Sequence, residues 1–254
     1  MTTNFHNSNF FITALRAYKA NIRTAALVSA GLLLIEWLTT IFSSKFAEYV
    51  GPTLLVAIFA YAIHYTILFG ENADLKDASS GKPFNKFFWR SMIFFATLIL
   101  IAAVVFLASI QTLGEGHGPD VSKGWAVILF VLVGLPLFGA SFALFGTILP
   151  ATVAGADASF VTAWKRAKGN FCYTLLRLAL GPFLVQMAIL GLVFWGASLG
   201  APLDILTPSG APDLVGVSVY VVVQMANLFV TALAASVLCK AYLRSDSEVP
   251  SLSR

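Results

Sequence analysis

Two stretches decide how this chain is read: residues 11–22, FITALRAYKANI, and residues 160–171, FVTAWKRAKGNF. Superposed, they coincide at Phe11/Phe160, Thr13/Thr162, Ala14/Ala163, Lys19/Lys168 and Asn21/Asn170, and Ile faces Val, Arg faces Lys and Ala faces Gly at three further places. Each copy leads at once into a long apolar run. In the first copy Phe11, Leu15, Tyr18 and Ile22 recur at helical spacing, with Arg16, Lys19 and Arg23 on another face. The second repeats this with Phe160, Trp164, Ala167 and Phe171 opposed to Lys165 and Lys168. Asn9 and Ser159 precede the copies as N-cap residues, whose side chains satisfy the first free N–H groups of a helix. Such amphipathic helices lie in the membrane interface, basic side towards anionic headgroups. Two readings remain open for them: an elbow that orients the next span, or a docking surface for lipid or a partner. Residues 83–90, PFNKFFWR, read as a degenerate third copy, so the unit of elbow, span, short loop and span is used up to three times.

The apolar runs set the class. Of 254 residues, 58% are hydrophobic and 11% charged, against about 25% charged in soluble domains. Six runs, near residues 24–43, 50–70, 91–111, 125–149, 172–199 and 214–240, reach the length of about 20 residues that a bilayer core demands. Backbone polar groups cannot stay unpaired in hydrocarbon, and the runs lack the alternation of barrel strands, so they predict helices. The expectation is an all-α polytopic protein. It has an arm over residues 1–23 carrying an amphipathic helix, a six-helix transmembrane domain over 24–240, and a tail over 241–254. The first run is too long for a cleavable signal and has no small-x-small exit.

Orientation follows from where the positive charge lies. Fourteen of the sixteen Lys and Arg fall in the N-terminal arm, the second connection, the fourth connection with the start of the fifth span, and the C-terminal tail; Lys45 and Lys123 alone fall elsewhere. The positive-inside rule then predicts that both termini are cytoplasmic.

Residues 149–150 (LP), 155–158 (GADA) and 163–171 (AWKRAKGNF) together resemble the cytoplasmic connection of a bacterial six-span family. That family includes YciC-type integral membrane proteins and the membrane domain fused to some glycerophosphodiester phosphodiesterases. In it a Pro closes the fourth span, and an elbow similar to S-W-x-L-x-K-G-N-F-W leads into the fifth. Trp164, Lys168, Gly169, Asn170 and Phe171 stand at matching positions; Ala163, Arg166 and Cys172 depart from it. The detailed likeness covers about residues 150–182. It implies architecture and a multi-pass location in the bacterial inner membrane. The phosphodiesterase activity of fused members resides in a separate soluble domain and does not carry over.

Within the spans, ionisable and amide side chains are the candidates for chemistry. Glu36 lies about 18 Å beyond Thr24 along an ideal helix, near the middle of a core about 30 Å thick. A charge there costs about 3 kcal/mol, and such residues usually face the bundle interior. His64 lies about 9 Å from the cytoplasmic end of the second span, with Gln224 and Asn227 on the sixth at comparable depths and Gln186 midway along the fifth. These residues support either a mid-membrane polar site or proton path, or interhelical hydrogen-bond glue with Glu36 protonated. Gly134 with Pro136, and Gly181 with Pro182, interrupt the fourth and fifth spans, as at transporter sites or as at ordinary kinks. Arg177 sits about one turn inside the cytoplasmic boundary, where it reaches headgroups by snorkelling. Arg16, Lys19, Arg23, Lys165, Lys168 and Arg177 are therefore the candidate contacts to anionic lipid. The outer loop 114–120 (GEGHGPD) reads as a flexible turn, with a weak cation site as the alternative.

No catalytic motif occurs, so no enzyme, cofactor or metal is expected. Cys172 and Cys239 form no cluster, and a net charge of +4 does not point to nucleic acid. The expected partners are membrane lipids, and other membrane subunits or a second copy. Two functions follow: a structural, assembly or accessory protein beside other membrane proteins or lipids, and a small transporter or lipid-handling protein built on the mid-membrane polar residues. The topology is checked by reporter fusions. Green fluorescent protein after Arg254 should fluoresce, and alkaline phosphatase at Gly118 should be active; the opposite pattern inverts the orientation.

Overall fold

Residues 9–42, 45–70, 82–113, 130–202, 204–207 and 210–248 are described by the computed structural model. Asn9 opens the first helix: its side chain accepts a hydrogen bond from the Phe11 N–H, and α1 runs over Phe10–Ala20. The chain turns at Asn21, and α2 continues over Ile22–Phe42. Then come α3, Lys45–Phe69, and α4, Lys82–Leu113. The fourth span is broken. A π-turn at Phe130–Gly134 leads into α5, Leu135–Phe145, and a bend at Gly146 and Thr147 separates it from α6, Ile148–Val153.

The connection that follows begins with Gly155 at φ 70, a left-handed conformation that glycine adopts without strain. It ends with Ser159, whose hydroxyl accepts from the Thr162 N–H. Asp157 accepts from the Ser159 N–H at 3.0 Å and from the Thr162 hydroxyl. Hydrogen bonding by Thr162, and then by Ser159, holds the Asp157 carboxyl below its ordinary range. From this cap α7 runs over Phe160–Leu178, passes through a π-turn at Ala179–Phe183, and resumes as α8, Leu184–Ser198. A loop with one bridge, Leu206 to Pro212, leads to Asp213, which caps α9, Leu214–Glu248.

Six helical stretches are long and apolar enough to cross a membrane: Ile22–Ile41, Gly51–Phe69, Pro83–Val105, Leu132–Val153, Phe160–Ser198 and Leu214–Ser245. The all-α, six-span architecture read from the sequence is present. Two boundaries differ from expectation. Residues 83–90 and the second copy of the repeated stretch are not separate elbows but the first turns of α4 and α7. Only the first copy meets a break, at Asn21; α7 runs unbroken through Gly169 and Asn170. The 39-residue helical stretch Phe160–Ser198 would be about 58 Å long if straight, about twice the bilayer core. It bends where Pro182 removes an N–H and Gly181 leaves room, and a π-turn absorbs the mismatch.

The bundle is built on α9, which packs against α1, α2, α3, α6, α7, α8 and the second π-turn. In lipid, burying an apolar side chain between helices gains little over leaving it among acyl chains. Association rests on close packing and interhelical hydrogen bonds, which favours small residues. The sixth span accordingly offers Ala232, Ala235, Ser236 and Ala241, all buried. Against them, α1 crosses the face of α9. The Ser236 hydroxyl donates to the Phe10 carbonyl at 2.7 Å, the Tyr18 hydroxyl donates to the Met225 carbonyl at 3.0 Å, and Phe11 and Tyr18 both stack edge-on against Phe229. Burial raises the Tyr18 phenol above its ordinary value, so it remains a donor.

Two of the matching pairs of the repeat, Ala14/Ala163 and Asn21/Asn170, prove to be packing residues. Ala14 and Ala163 are both fully buried, and Asn21 and Asn170 are each 3% exposed. Each Asn donates to the carbonyl one turn earlier, Asn21 to Ala17 at 2.9 Å and Asn170 to Arg166 at 3.5 Å. Asn21 also donates to Thr66 on α3 at 2.9 Å. Phe11, Leu15 and Ile22, and likewise Phe160 and Trp164, are exposed. The large residues of the apolar stripe thus lie at the surface, whereas its Tyr18 and Ala167 pack inward beside the small residues.

Gly146 faces α9: a Cβ there would come within 2.6 Å of Leu238 and closer to the Phe142 carbonyl, whereas a Cβ on Gly191 would meet nothing within 4 Å. Gly146→Ala is expected to destabilise by about 1–3 kcal/mol, the usual cost of overpacking, and to lower the melting temperature in detergent. Gly191→Ala should leave it unchanged or slightly higher. Equal melting temperatures would show that the fourth span does not press on α9 at this point.

Candidate functional site

Glu36 is carried towards the end of the bundle where α2 stops and α9 starts. Gly31 and Ile35 turn α2 towards α3, with Gly31 against Leu55 and Ile35 against Gly51. Leu32 turns towards the sixth span, where its carbonyl accepts from the Tyr220 hydroxyl at 3.4 Å. Glu36, one turn further on, is exposed and lines a cavity of about 430 Å³ with Thr40, Asp204, Thr207 and Tyr220. The floor of that cavity is the loop before α9 rather than another helix, because α2 and α9 have reached their outer ends there. Counting from Ile41 at the end of the span, Glu36 is about 8 Å from the boundary. Gln224, one turn along α9 from Tyr220, is within hydrogen-bonding reach of the same phenol. Glu36, Tyr220 and Gln224 thus form one group.

His64 belongs to another. It is buried, its Nδ1 lies 2.8 Å from the Ala60 carbonyl, and its ring meets Phe87 edge-on at 5.4 Å. Donation from Nδ1–H to Ala60 leaves Nε2 as a lone-pair acceptor, and no partner for it exists among the described residues. Its wall is aromatic, with Tyr61 and Phe84 packed beside Phe87. Asn227 forms a third group, accepting from Gln186 on α8 at 3.3 Å. The structure therefore places Glu36 and Tyr220 on one cavity and bonds Asn227 to Gln186. It does not bring Glu36, His64, Gln224 and Asn227 to one site.

The basic residues divide as well. Arg16, Lys19, Arg23, Lys165 and Lys168 are exposed. Arg177 is half-buried and clamped, its guanidinium carbon 3.9 Å from the centre of the Tyr173 ring and 5.4 Å from that of Phe10. Arg244 of α9 lies 4.9 Å from the same Tyr173 ring, and Lys240, one turn earlier on α9, lies within electrostatic reach of Arg177. Phe10 is held in turn, since a Cβ on Gly181 would come within 2.7 Å of its ring. Two turns before Tyr173, on the same face of α7, Arg166 stacks over Tyr242 at 4.9 Å. Arg90 of α4 donates to Thr152 of α6.

Sequence reasoning did not single out Tyr173, Tyr220, Asp204 or the pairing of Arg90 with Thr152. A signal existed for the first two. Tyr173 precedes Arg177 by four residues, as Lys240 precedes Arg244 and Tyr220 precedes Gln224, a spacing that places each pair on one helical face. Asp204 and Thr152 carry no such mark, because their partners are remote in sequence. The loop 114–120, with Lys76, Lys123 and Arg254, lies outside the described residues. Among the described residues no group of three or more His, Cys, Asp or Glu could hold a metal ion. Comparison with protein-family models, curated proteins and solved structures gave no match.

The pair Gln186 and Asn227 can be tested as interhelical glue. In a double-mutant cycle with Gln186→Leu and Asn227→Leu, the coupling energy is expected at about 0.6 kcal/mol, typical of hydrogen bonds between membrane helices. Additive effects in denaturation from mixed micelles would remove the bond from the account.

Proposed function

We propose that this is a non-enzymatic integral membrane protein, a structural or accessory subunit that acts beside other membrane proteins. One observation carries the reading: α8, the outer half of the fifth span, has no buried residue. A span in a self-sufficient bundle buries one face against its own chain, as the second and sixth do with 44% and 39% of their windows buried; the fifth buries 17% and the third 12%. Where α8 faces α9 the two leave an apolar groove of about 420 Å³, lined by Ile189, Leu192, Val193, Val219 and Val222. Its walls suit the side-chain ridge of a neighbouring helix, and Gly196 lets a backbone approach closely. A neighbour seated there would complete the packing that the chain leaves open.

The reading of both termini as cytoplasmic, in a bacterial inner membrane, fits this role. The basic connections then lie on the side where other subunits and anionic headgroups meet them. A transport reading has less support, because the polar residues it needs fall into three separate groups.

Photo-crosslinking in native membranes tests the proposal. A photoreactive residue at Leu192, in the groove, should give a discrete protein adduct, whereas one at Leu27, exposed on α2, should crosslink to lipid alone. Lipid adducts alone at both positions, together with a monomeric particle in mild detergent at every concentration, would overturn it.

A further inference from the structure

We propose that the pocket where α4, α6 and the start of α7 meet is a seat for the headgroup phosphate of one anionic phospholipid, held by Arg90. The pocket encloses about 270 Å³ and is lined by Arg90, Ile93 and Phe94 of α4, Ile148 of α6, and residues 158–160 at the start of α7. That is below the roughly 300–1,000 Å³ of pockets that enclose a whole small ligand, so a headgroup fits and its acyl chains lie outside.

Arg90 is aimed by its neighbours. Thr152 is buried, and its hydroxyl donates to the Ile148 carbonyl, which leaves the oxygen to accept from the Arg90 guanidinium. This partner is neutral, and among the described residues no carboxylate pairs with Arg90. Asp157, in the connection beside the pocket, is engaged by α7. It accepts from the Ser159 N–H and the Thr162 hydroxyl, and the cation within its electrostatic reach is Arg166. Ser159, the other polar residue of the wall, is committed to the same cap. A guanidinium fixed through one donor still presents a planar fork, and that fork matches two oxygens of a phosphate.

The surroundings select a lipid over a soluble phosphate. Thr152 stands next to Val153, the last residue of the fourth span, and Phe160 is the first of the fifth. The guanidinium therefore lies at a membrane boundary, at the level of the headgroups. The rest of the lining is apolar, and two of its members, Ile93 and Phe160, are 44% and 50% exposed, so acyl chains leaving the pocket meet them first. Trp89, next to Arg90, is exposed, as aromatic residues at headgroup level are. The exposed cations Arg16, Lys19, Lys165 and Lys168 attract anionic headgroups generally; Arg90 adds a walled pocket, and with it retention of one molecule. This proposal is independent of whether a protein neighbour occupies the groove on α8.

Native mass spectrometry of the full chain released from nanodiscs tests it, with phosphatidylglycerol and phosphatidylcholine supplied in equal amounts. The wild-type protein should retain one phosphatidylglycerol in preference to phosphatidylcholine. Arg90→Gln should weaken that retention about five-fold, whereas Lys19→Gln should change it by less than about two-fold. Ile93→Trp, at an exposed wall position, fills the pocket with every charge in place and should weaken retention as well. An unchanged melting temperature marks each variant as folded, and if Arg90→Gln unfolds, Ile93→Trp decides. Equal retention of the two lipids by the wild type, or undiminished retention in folded Arg90→Gln or Ile93→Trp, overturns the proposal. Displacement of the lipid by millimolar inorganic phosphate also overturns it, because the apolar wall would then contribute nothing.

Discussion

The structure depends on how closely other helices can approach the sixth span. In water, a helix such as α9 would be driven inward by its apolar side chains. In lipid that drive is nearly absent, and backbone proximity with interhelical hydrogen bonds replaces it. The buried Ala232 and Ala235 of α9 share one core cluster with the buried Ala17 of α1. Gly146 admits Leu238, and one added carbon there would press on that side chain. Polar side chains then act at short range, with Ser236, Tyr18 and Tyr220 all donating to backbone carbonyls across an interface.

The same constraint explains the interrupted spans. Pro182 breaks the hydrogen-bond ladder of a helix too long to cross a bilayer straight, and Gly181 beside it leaves a notch that receives Phe10. The N-terminal helix is thereby locked to the fifth span through one ring and to the sixth through its backbone. That lock also steadies Arg177, so a kink, an aromatic wedge and a cation arise from one local arrangement. The fourth span has its own π-turn at Phe130–Gly134 and a bend at Gly146, and the short α6 that follows packs on α4 and α9. Interruption here serves packing.

Much of the architecture was legible because membrane folding writes its rules in one dimension. Length and apolarity marked six spans, charge distribution gave an expected orientation, and Asn9 and Ser159 announced helix starts that the structure contains. The repeated stretch was visible as identity at fixed positions, and periodicity showed Phe11, Leu15, Trp164 and Phe160 as an apolar stripe on one face. In lipid the large apolar residues are content outside, and the small ones, Ala14, Ala163, Asn21 and Asn170, are drawn between helices.

What the sequence alone determined is therefore the class, the number of spans and where helices begin, since each depends on local composition and backbone hydrogen bonding. Which residues meet was decided by tertiary structure. Residue count gives Glu36, His64, Gln224 and Asn227 a depth each, but depth fixes one coordinate, and helix rotation fixes the other. Rotation placed His64 against Phe87, Asn227 against Gln186, and Arg177 and Arg244 on a single tyrosine ring.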